Sequence, residues 1–258
     1  MPLITVNQQA IFYSYHSPDA QLTSHPPLVL IHGAGGTHLH WSPRLRRLPS
    51  AAVYAPDLPG HGRSGGDGYA TIGEYREWLH EIVDALGLPA FVLAGHSMGG
   101  AIALDFALTY PARLVGLGLV GASARLRVAP AILNGIQTDF ATTTANLIEM
   151  MYGPTVDQPR RQRYRQGLRE VAPTVLHADF CACDGFDVSA RVGEIDLPTL
   201  IICGQLDQMT PAKYSERLHA QIRHSELHLL DNTGHMAMIE QADATTHLFE
   251  KFLVGIDV

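Results

Sequence analysis

The apolar positions fall into short unbroken runs separated by longer stretches of helical periodicity. The runs are LVLIHG at 28–33, AAVYAPD at 51–57, AFVLAG at 90–95, LVGLGLVG at 114–121 and PTLIICG at 198–204, with a weaker ELHLL at 226–230. Continuous apolar runs ending in Gly or Pro are what strands buried on both faces need, and they predict a parallel sheet. Between them, residues 71–86 place Ile72, Tyr75, Leu79, Ile82, Val83 and Leu86 near one helical face, with Gly87 as a stop. Residues 98–109, 211–221 and 238–253 predict three more helices. Ahead of the first run, Leu3, Thr5 and Asn7 alternate, then Ile11, Tyr13 and Tyr15, about a polar Asn7-Gln8-Gln9 turn. That pattern predicts an antiparallel hairpin. Strand and helix in alternation define an α/β fold with a doubly wound, mostly parallel sheet.

Residues 122–195 break the rhythm. They hold helix-like stretches such as AILNGIQTDFATTTANLIEMMY and a basic RRQRYRQGLRE run, and no clear buried strand. The expectation is a helical cap over 122–195, inserted over the carboxyl edge of a core made of 1–121 and 196–258. The Arg-rich run reads as a solvated helix face.

Composition narrows the function. Hydrophobic residues make up 46% and charged residues 17% of 258, which supplies a large core and argues against disorder. Net charge is −7, so a nucleic-acid partner is not expected. Three cysteines form no disulfide framework and fit reduced thiols in a cytoplasmic protein. The opening MPLITVNQQAIFYSYHS lacks the pattern of a secretory signal, and no apolar run approaches the ~20 residues of a membrane span.

The strongest local signal is Gly95-His96-Ser97-Met98-Gly99, placed between a strand and a helix. That is the context of a nucleophile elbow, in which a strained turn exposes the serine hydroxyl. Serine is a weak nucleophile, so it needs a base, and the base needs an orienting carboxylate. In the expected order Ser, acid, His, the candidates are Asp207 in Gly204-Gln205-Leu206-Asp207 and His235 in Asn232-Thr233-Gly234-His235. Both follow predicted strands, where ligand sites of open α/β sheets form. Asp231 is the nearest rival acid, but it lies close in sequence to His235. An oxyanion needs donors, and the amides of Met98 and of Ala34 in His32-Gly33-Ala34-Gly35-Gly36 are the candidates.

With His32-Gly33, Asp57-Leu58-Pro59-Gly60-His61-Gly62-Arg63-Ser64, the elbow, Gly204 to Asp207 and Gly234-His235 in this order, the sequence resembles the α/β-hydrolase superfamily from about residue 28 to 240. It looks most like small esterases, enol-lactonases and C–C bond hydrolases. The resemblance implies a serine hydrolase acting on an ester or lactone of a small, partly apolar substrate through an acyl-enzyme. A C–C hydrolase or lyase of the same fold, or a non-catalytic small-molecule receptor, stays open. The Asp57–Ser64 loop reads as structural, and His96 as a residue that packs or hydrogen-bonds within the elbow. Trp41, Phe140, Met150, Met151, Tyr152, Phe180 and Met236 are candidate pocket liners. No cofactor is expected, and no metal, because His38-x-His40 has no third ligand at a suitable spacing. The oligomeric state is not legible.

Overall fold

The computed structural model describes residues 2–6, 8–18 and 25–256. Strands β1 (Leu3–Val6) and β2 (Gln9–His16) form the antiparallel hairpin, while Asn7 of the expected turn lies outside the described residues. The remaining strands are β3 (Leu28–Ile31), β4 (Val53–Pro56), β5 (Phe91–His96), β6 (Leu114–Val120), β7 (Thr199–Gly204) and β8 (Ser225–Leu230). They join in one eight-stranded sheet ordered β1-β2-β4-β3-β5-β6-β7-β8, antiparallel at β1–β2 and β2–β4 and parallel from β4 to β8.

The unbroken apolar runs have a direct physical cause. Every residue of β3, β5 and β7 is buried, because helices cover both faces of the sheet. Along β3, Val29 and Ile31 enter one core layer, and Leu28 and Leu30 the other. The first layer packs on helices α1 (Ile72–Ala85) and α2 (Met98–Thr109). Strand β8 is only half-buried, since it is the sheet's edge, and its run is correspondingly weak. Helix α1 starts at an N-cap: the Thr71 hydroxyl accepts from the Glu74 amide and donates to the Glu74 carboxylate at 2.6 Å.

Between β6 and β7 come four helices: α3 (Pro130–Thr138), α4 (Phe140–Met151), α5 (Gln158–Glu170) and α6 (Pro173–Asp184). The stretch that reads as one helix at 131–152 is broken at Asp139, which ends α3 and caps α4 by accepting from the Thr142 amide. The Arg-rich run is not wholly a solvated face. Arg161 is buried, and its guanidinium donates to the carbonyls of Tyr152, Gly153 and Val156 at the end of α4. The chain ends with α7 (Ala212–Gln221), α8 (Ala237–Glu240) and α9 (Ala242–Val254). The last two replace the single helix expected at 238–253. Apolar periodicity continues through the break at Gln241 because it reports which side faces the core, not backbone continuity. No helix among the described residues is long and apolar enough to cross a membrane.

Candidate active site

Strand β5 passes into α2 through one residue. Ser97 sits at φ 54° and ψ −116°, a conformation costing a non-glycine residue about 1–3 kcal/mol. The turn closes only because its flanks lack side chains. A Cβ at Gly95 would run into the Gly99 backbone, and one at Gly99 into the carbonyls of Ile31 and His32. The Ser97 amide donates to the Val120 carbonyl at 3.0 Å, which ties the elbow to the end of β6.

The structure brings His235 and Asp207 into contact. His235 Nδ1 lies 2.8 Å from Asp207 Oδ2, and both residues are buried. Asp207 Oδ1 accepts from the amides of Met209 and Thr210, both at 2.8 Å, and Oδ2 also accepts from the Thr210 hydroxyl at 2.9 Å. Burial pushes the carboxyl's pKa up, but the His235 charge and hydrogen bond, joined by the bonds from Thr210, hold it below the usual carboxylate value. Asp207 is therefore an anion at neutral pH. Asp231 is exposed and does not contact His235.

The backbone of His235 is held on several sides. Its amide donates to the Met151 carbonyl at 2.8 Å, and its carbonyl accepts from His96 Nε2 at 3.1 Å. Burial and the neighbouring His235 drive His96 well below the ordinary histidine pKa, so His96 is a neutral donor here. The Glu240 carboxylate gathers the amides of Gly153, Gly234 and Met236, clamping both flanks of His235 to the end of α4.

The two candidate oxyanion donors come from different segments of the chain. Met98 is the first residue of α2, where the helix leaves its amides unbonded and its dipole favours negative charge. Ala34 follows Gly33 in the loop after β3. Neither amide donates to another protein group among the described residues. The loop around Ala34 is fixed by its neighbours: the Gly33 carbonyl accepts from His32 Nδ1 at 2.8 Å and from the Gly36 amide at 3.0 Å. His32 Nε2 in turn accepts from the Leu58 amide at 3.0 Å. Burial, with His61 nearby, lowers the His32 pKa to about 3, so the ring stays neutral and can play both parts.

Gly33, Ala34, His96, Ser97 and His235 share a cavity of about 40 Å³. Its apolar wall comes from Leu147 and Met151 of α4, Leu168 of α5, and Leu176, Phe180 and Cys183 of α6. That volume is close to the share of one liquid water, about 30 Å³. A wider groove of about 650 Å³, lined among others by Arg46, Arg160, Arg163 and Tyr164, meets it at His40.

Of the expected pocket liners, Met151 and Phe180 face this cavity, and Tyr152 borders a smaller void beside it. The other four do not line it. Trp41 is fully buried, packed edge-on to Phe249 at 6.3 Å in the second core layer. Phe140 is half-buried against that layer, Met150 is half-buried and does not line the cavity, and Met236 is fully buried in that same layer. Bulk and proximity to a loop identified them in the sequence, but the pleat and helix phase turned their side chains to the core. Nothing in the sequence marks Leu147, Leu168, Leu176 or Glu240, and His40, weighed there only as a metal ligand, lines the cavity instead. Only the helical phase of α4–α6 relative to the sheet could have found the leucines.

The polar groups of the Asp57–Ser64 loop are taken up within the loop and by neighbouring segments. Asp57 accepts from the amide and Nδ1 of His38 and from the Arg63 amide, and the Ser64 hydroxyl donates to the Asp57 carbonyl. His38 is thus engaged by a carboxylate. Among the described residues no group of three or more His, Cys, Asp or Glu is arranged to hold a metal, and all three cysteines are free thiols.

The sequence matches the alpha/beta hydrolase family over residues 28–248. It is 30% identical to a 2-hydroxy-6-oxo-6-phenylhexa-2,4-dienoate hydrolase of Burkholderia cepacia, covering 98% of this chain and 96% of that one. It is also 30% identical to a pimeloyl-acyl-carrier-protein methyl ester esterase of Serratia marcescens, covering 88% of this chain and 94% of the relative. The solved structure of a thermophilic esterase superposes with a TM-score of 0.86 at 30% identity, over 99% of this chain and 97% of that one. The chain belongs to the alpha/beta hydrolase family, and the relatives it resembles are hydrolases.

Proposed function

We propose that the protein is a serine hydrolase that cleaves a carboxylic ester or lactone of a small, partly apolar substrate. One observation carries the reading: Ser97, strained at the elbow, shares a cavity with His235, whose other ring nitrogen is bonded to an ionised Asp207. In this scheme His235 Nε2 takes the Ser97 proton as Oγ attacks the carbonyl carbon. Asp207 keeps the remaining proton on Nδ1 and stabilises the imidazolium. The oxyanion is bonded by the amides of Met98 and Ala34. Collapse expels the alcohol, protonated by His235, and leaves an acyl-enzyme that water, activated by the same base, then hydrolyses.

The helices of 122–195 act as the cap in this reading. Their apolar side chains close the cavity to about 40 Å³, so substrate entry requires them to move. The partner is a small molecule, and the chemistry calls for no cofactor. The resemblance to the dienoate hydrolase favours a second reading, carbon–carbon bond hydrolysis at the same site. A panel of p-nitrophenyl esters, lactones and vinylogous diketones separates the two. A fluorophosphonate probe should add one label to the wild type and none to Ser97→Ala. Labelling that persists in Ser97→Ala overturns both readings.

A further inference from the structure

The cap and core are joined by one buried carboxylate that the proposed chemistry does not use. Asp179 of α6 is fully buried. Its Oδ2 accepts from the Gly35 amide and from His61 Nε2, both at 2.8 Å, and its Oδ1 accepts from the Tyr75 hydroxyl at 2.6 Å. The three donors come from the loop after β3, the loop after β4, and helix α1. His61 Nδ1 meets the Pro59 carbonyl at 2.9 Å, an acceptor with no proton to give. Nδ1 therefore carries a proton, and Asp179 favours a second on Nε2, which makes the pair an imidazolium facing a carboxylate. Burial alone would lower the His61 pKa, but Asp179 and the Pro59 carbonyl raise it.

We propose that Asp179 is a positioning residue for the oxyanion hole, resting on the serine-hydrolase reading above. Two peptide planes flank Ala34. The first joins the Gly33 carbonyl to the Ala34 amide, and His32 and the Gly36 amide pin that carbonyl. A trans peptide is planar, so pinning the carbonyl aims the Ala34 N–H the opposite way. The second plane ends in the Gly35 amide, and its partner is Asp179. Gly35 sits at φ +62°, where a glycine reorients at little steric cost. Without its acceptor, that peptide is free to turn and to carry Ala34 with it. A Cβ at Gly35 would also meet Leu168 and Leu176, so the cap is seated directly on the peptide that Asp179 holds.

Asp179→Asn tests this with almost no change of shape. Once the negative charge is gone, His61 sheds its Nε2 proton, because the Pro59 carbonyl retains the one on Nδ1. The bare Nε2 then draws the new amide NH₂ to the place where the Gly35 N–H points. Two donors face each other, and the Gly35 peptide must swing away. In a folded Asp179→Asn protein, kcat for p-nitrophenyl acetate should fall by about 10², the lower end of removing an oxyanion donor outright, with KM little changed. Affinity for phenylboronic acid, which adds to the serine and places a hydroxyl in the oxyanion hole, should fall in parallel.

Tyr75→Phe removes a bond to the same carboxylate but leaves the Gly35 contact, so it should lower the melting temperature while keeping boronate affinity. If Asp179→Asn does not fold, Asp179→Leu/His61→Leu removes the charge pair together, a change that buried ion pairs often tolerate. It should show the same kcat and boronate losses. Boronate affinity that follows only the melting temperature, equally in the Asp179 and Tyr75 variants, would overturn the positioning role and leave Asp179 a structural anchor. Boronate binding that survives Ser97→Ala would instead overturn the serine-hydrolase reading and this proposal with it.

Discussion

Replacing Asp207 by Asn changes one atom, and the surrounding hydrogen bonds dictate how the new amide must sit. Oδ1 accepts from two backbone amides, so the amide oxygen has to occupy that place. The NH₂ then takes the Oδ2 position, 2.8 Å from His235 Nδ1. It donates to Nδ1, which can accept only without its proton, and the His235 proton moves to Nε2. In that tautomer Nε2 cannot take the Ser97 proton. Restoring the productive tautomer gives up the new bond and sets two buried donors against each other, about 3–5 kcal/mol. At about 1.36 kcal/mol per decade, kcat should fall by roughly 10² to 10⁴, and the same change in serine proteases costs about 10⁴. Stability should hardly move. The Thr210 hydroxyl can donate to the Gly121 carbonyl, 2.8 Å away, and accept from the amide, so no buried group is left without a partner. Steady-state kinetics on p-nitrophenyl acetate, with melting curves on both proteins, make the check. Asp231→Asn, at an exposed position, should be silent. If Asp207→Asn keeps wild-type kcat while Asp231→Asn loses it, the orienting acid is Asp231 and the hydrogen-bond argument fails.

Gly99→Ala should destabilise the protein by more than the about 1–3 kcal/mol of ordinary overpacking, because its Cβ runs into the rigid carbonyls of β3 rather than a side chain; melting within a few degrees of wild type would contradict this. Phe180→Ala should enlarge the cavity beside Ser97 and shift preference toward longer acyl chains, at a stability cost of about 3 kcal/mol or somewhat more. An unchanged chain-length profile across p-nitrophenyl acetate to octanoate would show that Phe180 does not bound the acyl site. The His61–Asp179 pair makes stability depend on pH. The His61 pKa is raised above 6.5 in the folded protein, so its contribution is complete below that value and is lost as pH rises through the folded value. Other groups around the pair are His32, His40, Asp57, Tyr75 and Cys183. The melting advantage of wild type over Asp179→Leu/His61→Leu should therefore shrink as pH rises above about 6.5, and an advantage that stays flat or grows would refute the ion-pair assignment.

Sequence alone determined the elements that follow from burial on two faces. Unbroken apolar runs placed β3 to β7 to within a few residues, and the run at 226–230 was weak because β8 is an edge. Gly95-His96-Ser97-Met98-Gly99 was legible because the turn admits only small flanking residues, a constraint local to five positions. The pairing of Asp207 with His235 was legible through chain order and strand ends. What a side chain touches across the fold was not. Trp41 and Met236 have the residue types of pocket liners, yet their backbone direction sends them into the core. Leu147, Leu168 and Leu176 look like ordinary helical leucines until α4–α6 are laid over the sheet. Asp179 is one carboxylate among 25 acidic residues of the chain, and nothing near it in sequence marks it as buried. Its three donors lie 104 to 144 residues away. Local patterning reports how each segment meets its own surroundings, so it can specify a strand, a helix or a turn. Which distant polar groups satisfy one buried charge depends on how those segments pack, and only the tertiary structure decides that.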